Sequence, residues 1–137
     1  MTDELASGEK VPIRSDVDIV IARQKARALA AQLGFTGSDL TVIATAVSEI
    51  ARNIVSYAGS GEIHFAGAQN GAKRGISIIA HDEGPGIPDV ALALQDGYTT
   101  GKSLGLGLPG AKRLMDEFEI ESSVGNGTTI KMKKWVG

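Results

Sequence analysis

Two rhythms of apolar and polar positions divide this chain. Leu40, Ile43, Ala44, Val47, Ile50, Ala51 and Ile54 recur at three- and four-residue steps, the spacing of one helix face. This predicts a helix that starts after Ser38, runs to about Tyr57 and is ended by Gly59. An earlier helix begins at Ser15 or Asp16, runs to about Leu33 and is stopped by Gly34. Val17, Ile21, Ala28 and Leu29 read as its inward positions, with Arg23, Lys25 and Arg27 mostly outward. Beyond Gly59 the period becomes two. Residues 62–69 alternate, with Ile63 and Phe65 on one face, and residues 73–82 are rich in isoleucine (Ile76, Ile78, Ile79). They predict a hairpin across Asn70-Gly71. Residues 119–124 and 128–135 predict a second hairpin, turning at Gly125-Asn126-Gly127. Between the hairpins lie a short helix at residues 90–94 and another from about Leu108 to Phe118. Val11 to Arg14 reads as a short edge strand, preceded by a flexible tail, residues 1–10, ahead of a single domain, residues 11–137. The order of elements gives an α+β class: two layers, with a mixed, mostly antiparallel sheet covered by helices on one face.

Composition narrows the function. A chain of 137 residues with 42% hydrophobic residues suits one core. The net charge of −2 argues against a nucleic-acid surface. There is no cysteine, hence no disulfide or thiol chemistry, and two histidines make a histidine-rich metal site improbable. The polar, acidic start MTDELASGEK is unlike a signal peptide, and no apolar run approaches a membrane span. The expectation is a soluble cytoplasmic protein. The pattern leaves a homodimer open without supporting it.

Glycine is abundant, 18 residues, and clusters between Gly84 and Gly110. The stretch GYTTGKSLGLGLPG, residues 97–110, holds two phosphate-loop look-alikes. Gly101-Lys102-Ser103 resembles the end of a P-loop, but the first glycine of that motif belongs at position 96, which is Asp96. Gly105 to Gly110 fits G-x-G-x-x-G, yet polar residues precede it where a dinucleotide fold requires a strand. What survives is physical. A glycine-rich loop running into a helix offers backbone N–H groups and a helix N-terminus to an anion.

Two further features accompany the loop. Glu49 and Asn53 stand four residues apart on the second helix, so both point to one side. An acid and an amide one turn apart suit a hard cation such as Mg²⁺. Asp82 closes the strand before Gly84 and Gly86, where a carboxylate can accept from an exocyclic amino group.

In this order the motifs resemble the GHKL ATPase superfamily of Bergerat fold. Glu49-Ile-Ala-Arg-Asn53 is similar to its N box and Asp82-Glu-Gly-Pro-Gly86 to its D-x-G-x-G box. Gly101-Lys-Ser-Leu-Gly105-Leu-Gly107 is similar to the end of its ATP lid, and Gly127-Thr128-Thr129 to its closing G-T box. The longer stretches SEIARNIVSYAGSGEI and DGYTTGKSLGLGLPGAKRLMDEFEIES resemble the anti-sigma-factor serine kinase branch, nearest its stressosome switch kinases.

The resemblance implies a serine/threonine kinase that uses ATP and Mg²⁺. Glu49 would act as general base on the attacking hydroxyl, and Asn53 would ligate Mg²⁺. Asp82 would accept from the adenine amino group, with Gly86 letting the base approach and Thr128 supporting it through water. Gly101, Gly105 and Gly107 would wrap the phosphates, with Lys102 adding charge. Gly84, Ile87, Ser103 and Leu106 complete the implied nucleotide-binding set. Arg52 reads as a helix-surface ion pair in preference to a partner contact. The implied partners are STAS-domain substrates of RsbS or RsbR type and an RsbU-like phosphatase. Two rivals stay open here: a nucleotide-gated binding module without turnover, and the catalytic domain of a histidine kinase.

Overall fold

A computed structural model describes residues 9–85, 107–122 and 124–137. Strand β1 (Glu9–Ile13) leads into helices α1 (Asp16–Gln32) and α2 (Ser38–Asn53). A π-helical turn (Ile54–Ala58) follows, then strands β2 (Gly61–Asn70) and β3 (Lys73–Asp82). Helix α3 (Gly107–Leu114) precedes strands β4 (Glu117–Ser122) and β5 (Thr128–Trp135). The five described strands form one sheet in the order β1-β2-β3-β5-β4, and every described pairing is antiparallel. The short helix expected at residues 90–94 lies outside the described residues.

Alternation builds the sheet face that meets the helices. Ile76, Ile78 and Ala80 of β3, Ile63 and Phe65 of β2, and Ile130 and Met132 of β5 are all buried. Against them sit Ile43, Val47, Ile50 and Ala51 of α2, in one continuous core. The opposite sheet face pairs Glu117 with Lys133 and Glu119 with Lys131 across β4 and β5. Opposite charges directly across strands favour this register.

Helix α1 ends as its sequence suggests. Gly34 takes φ +105°; its N–H donates to the Ala31 carbonyl, and the Phe35 N–H donates to the Ala30 carbonyl. This is a Schellman ending, with buried Phe35 as its apolar clasp. The inward face of α1 differs from expectation. Leu29 is buried as expected, but its partners are Ile19, Ala22, Ala26 and Ala30. Val17 is 67% exposed, Val20 51% and Ile21 38%, and Ala28 is exposed too. Residues Val17, Ile21 and Ala28 therefore line the outward side. Small residues took the inward side because alanine lets α1 lie close on its neighbours.

Four boundaries also moved. The second α-helix stops at Asn53, and the chain continues to Ala58 in π geometry, where the Gly59 N–H reaches the Ile54 carbonyl at 2.9 Å. The third helix ends at Leu114, and Phe118 belongs to β4. Consequently β4 spans Glu117–Ser122 and not residues 119–124. At the other edge, β1 reaches back to Glu9, which pairs with Phe65.

Candidate functional site

The C-terminal end of α2, the start of β2, the end of β3, the start of β5 and the start of α3 converge at one end of the sheet. Direct contacts knit them together. Asp82 is the register partner of both Gly61 and Thr128. The Gly107 N–H, opening α3, donates to Glu49 Oε1 of α2 at 3.2 Å. A Cβ placed on Gly61 would lie 2.9 Å from Ile54 Cγ2 and 3.0 Å from Asp82 Cβ. So the turn that follows Asn53 packs directly against the strand end that carries Asp82.

Glu49 lies on the apolar stripe of α2 and is only 5% exposed. Two donors hold its carboxylate. Arg52, three residues on, approaches Oε2 at 3.2 Å and Oε1 at 3.4 Å through one guanidinium nitrogen. The Gly107 N–H is the second. Burying a carboxylate without donors is costly, so this pairing is what permits the burial. A carboxylate has about four lone-pair sites. Among the described residues Oε1 accepts twice and Oε2 once, which leaves Oε2 able to accept a further proton. Asn53 is half-buried, one turn beyond Glu49, at the point where the α-helix gives way to the π turn. Such turns widen a helix locally and re-aim the side chains before them.

Asp82 is 6% exposed at the end of β3. Its Oδ1 accepts the Gly84 N–H at 2.9 Å, an Asx turn that swings the chain off the sheet. Gly84 is required on spatial grounds: a Cβ there would sit 2.5 Å from Ala58 Cβ. Thr128 is equally buried. Ser122 Oγ lies 2.7 Å from Thr128 Oγ1 and also donates to the Gly127 carbonyl at 3.0 Å. A serine has one hydroxyl proton, so Thr128 is the donor between them and keeps its lone pairs for a ligand or water. Gly127 has φ +74°, and a Cβ there would collide with the Asp82 carbonyl oxygen. The Gly125 N–H donates to the Pro85 carbonyl at 2.9 Å, tying the β4–β5 turn to the loop after Asp82.

The structure thus brings together Glu49, Asn53, Asp82, Gly84, Gly107 and Thr128. Gly86, Ile87, Gly101, Lys102, Ser103, Gly105 and Leu106 lie outside the described residues. A buried acid beside an amide, and a strand-end carboxylate beside a hydroxyl, form a polar floor able to take both ends of a nucleotide. No group of three or more acidic or histidine side chains suited to a metal occurs among the described residues.

Residues 14–134 match the family model described as histidine kinase-like ATPase domain. The chain belongs to that family. The serine/threonine-protein kinase RsbT of Bacillus subtilis (strain 168) is 50% identical over 126 residues, covering 92% of this chain and 95% of the relative. The anti-sigma F factor of Thermoanaerobacter sp. (strain X514) is 36% identical over 122 residues, 85% of this chain and 84% of its own. Among solved structures, the RsbU and RsbW domains of a Mycobacterium tuberculosis protein superimpose with a TM-score of 0.62 at 22% identity. That match covers 96% of this chain and 33% of the other, so this chain spans about a third of the length of that two-domain chain. The mycobacterial sensor histidine kinase MprB gives a TM-score of 0.57 at 19% identity, over 94% and 97% of the two chains. These two likenesses establish the GHKL fold.

Three site residues escaped the sequence reading. Gly61 stands just ahead of the stretch read as a strand from residue 62, yet its position opposite Asp82 leaves no room for a side chain. Ser122 is inward on β4, two positions beyond Ile120, and the strand's alternation was the available signal. Arg52 does form an ion pair, but its partner is buried Glu49 and not a surface acid. Its i, i+3 spacing from the N-box acid was the clue.

Proposed function

We propose that this protein is a serine/threonine kinase of the partner-switching type, which transfers the γ-phosphate of Mg-ATP to a hydroxyl on a STAS-domain protein of RsbS or RsbR type. Once released from that substrate, it engages and activates an RsbU-like phosphatase. The observation that carries the reading is buried Glu49, held by Arg52 and by the Gly107 N–H, one turn before Asn53. The 50% identity to a serine/threonine kinase supports it over the histidine-kinase alternative.

Glu49 takes the hydroxyl proton as the substrate oxygen attacks the γ-phosphorus, and the electron pair of the broken P–O bond leaves on ADP. Asp82 accepts the adenine amino group with the oxygen that Gly84 leaves free, and Thr128 supports the base from β5. Asn53 fits Mg²⁺: it offers a neutral amide oxygen where no acidic cage stands among the described residues, which suits an ion that keeps waters and phosphate oxygens as its other ligands. When bound, Mg²⁺ neutralises charge on the phosphates. Phosphoryl transfer asks mainly for such positioning and charge stabilisation.

The test compares wild type with Glu49→Gln, using γ-labelled ATP, Mg²⁺ and an extract of the source cells. We expect acid-stable label on a second protein with the wild type, and about 10²–10⁴-fold less with the variant, while ATP binding persists. Acid-labile label would revive histidine chemistry. Absence of label with ATP still bound would favour a nucleotide-gated binding module. Full transfer by Glu49→Gln would remove the base assignment.

A further inference from the structure

We infer that Arg52 is a positioning residue for phosphoryl transfer, acting through Glu49. The inference rests on the reading of Glu49 as the base. Three observations carry it. The guanidinium contacts both oxygens of one carboxylate, at 3.2 and 3.4 Å. That carboxylate is 5% exposed while the Arg52 side chain is 26% exposed, so the pair runs from a dry site outward. The third contact comes from a different element, the Gly107 N–H on Oε1.

The terminal torsion of a glutamate is broad and roughly two-fold, so a free carboxylate presents either oxygen to a reactant. With one donor it still rocks about that bond. With Arg52 across both oxygens and Gly107 on Oε1 alone, the two oxygens become distinct. Oε1 is the anchored atom. Oε2, with one donor among the described residues, is the atom that receives the substrate proton. Transfer then runs with fixed geometry: the hydroxyl oxygen bonds to the γ-phosphorus, its proton passes to Oε2, and the bond to the bridging oxygen breaks onto ADP. An exposed i, i+3 ion pair could sit anywhere on a helix and matters little there. This one sits on the buried acid near the end of α2. The contribution assigned to Arg52 is orientation, and the sign of its effect on the rate decides the matter.

The experiment uses the full chain, with γ-labelled ATP, Mg²⁺ and a purified STAS-domain protein of RsbS type as acceptor. Arg52→Gln, Arg52→Lys, Glu49→Gln and the Glu49→Gln/Arg52→Gln double variant are compared. Single-turnover transfer, ATP affinity and thermal midpoint are read for each. We expect Arg52→Gln to slow transfer about 10²-fold, the usual consequence of a displacement near 1 Å, with ATP affinity within about twofold. Arg52→Lys should recover part of the rate, since it restores the charge without the planar fork. In the Glu49→Gln background, Arg52→Gln should change the rate no further. An unchanged or faster Arg52→Gln, an equal loss in both backgrounds, or a parallel loss of ATP affinity overturns the inference and leaves the kinase reading intact. No label with the wild-type chain overturns the kinase reading itself, and this inference with it.

Discussion

Replacing Gly127 with alanine isolates what holds the two halves of the nucleotide floor together. The cost has two sources. At φ +74° a Cβ is strained by about 1–2 kcal/mol. The same Cβ also runs into the Asp82 carbonyl oxygen and closes to 3.0 Å of Glu83 Cα. Both obstacles are backbone, so the sheet edge must move, at about 1–3 kcal/mol on the scale of overpacked sites. The total is about 2–5 kcal/mol. Gly125→Ala is the internal control. It has φ +84°, and a Cβ there would meet nothing within 4 Å, so it should lose only the strain of about 1–2 kcal/mol. Urea unfolding gives both values by linear extrapolation. A titration with fluorescent ATP should find Gly127→Ala weakened at least tenfold, about 1.4 kcal/mol, because Asp82 and Thr128 are pushed apart. Gly125→Ala should bind normally. Equal stability losses for the two variants, or a normal ATP affinity for Gly127→Ala, would refute the reasoning.

Other expectations follow from the same contacts. Ile78→Ala empties a fully buried position of β3 and should destabilise the fold by about 2–5 kcal/mol in urea unfolding. Asp82→Asn keeps the shape but removes the charged acceptor and disturbs the Gly84 turn; ATP affinity should fall by a factor of about 5–150, corresponding to about 1–3 kcal/mol, measured by titration. Val17→Ser on the outer side of α1 should change stability by less than about 0.5 kcal/mol, despite the apolar residue lost, because Val17 is 67% exposed. Gly84→Val should lower the thermal midpoint and weaken ATP binding together, since its side chain would displace Ala58 and the turn after Asn53.

Much of this was legible beforehand. The β2–β3 hairpin is set by alternation and by a glycine turn, which falls one residue later than expected: Asn70 pairs with Lys73, and Gly71-Ala72 make the turn with Gly71 at φ +61°. The four-residue spacing put Glu49 and Asn53 on one side of α2, and the strand read over residues 73–82 put Asp82 at its end; the burial of Glu49 emerges only from the structure. The misses have definite physical causes. Helix α1 carries apolar residues on two opposite sides. Val17, Val20, Ile21 and Ala28 lie on one, Ile19, Ala22, Ala26 and Leu29 on the other, and periodicity cannot rank them. Bulk favoured the wrong side, because close helix packing selects alanine. Around Phe118 two rhythms overlap. Leu108, Ala111, Leu114, Met115 and Phe118 continue a helical stripe, while Glu117 to Ser122 alternate. Pairing of Glu117 with Lys133 decided for the strand, a tertiary effect that local spacing does not contain. The π turn after Asn53 leaves no trace in the pattern, since it keeps the apolar stripe and alters only the hydrogen-bond step.

The place of β5 between β3 and β4 also governs the order in which this molecule can assemble. Hairpins β2–β3 and β4–β5 close over short turns and can form locally. The seam between β3 and β5 joins Asp82 to Thr128 and encloses everything from Glu83 to Gly127. Closing so long a loop carries a larger entropic penalty than either hairpin, and pairings of this kind slow folding. The polar floor therefore comes into being only when that seam zips shut. On the proposed reading, a nascent chain with half a site would not bind ATP, and nucleotide bound across Asp82 and Thr128 would hold that seam closed.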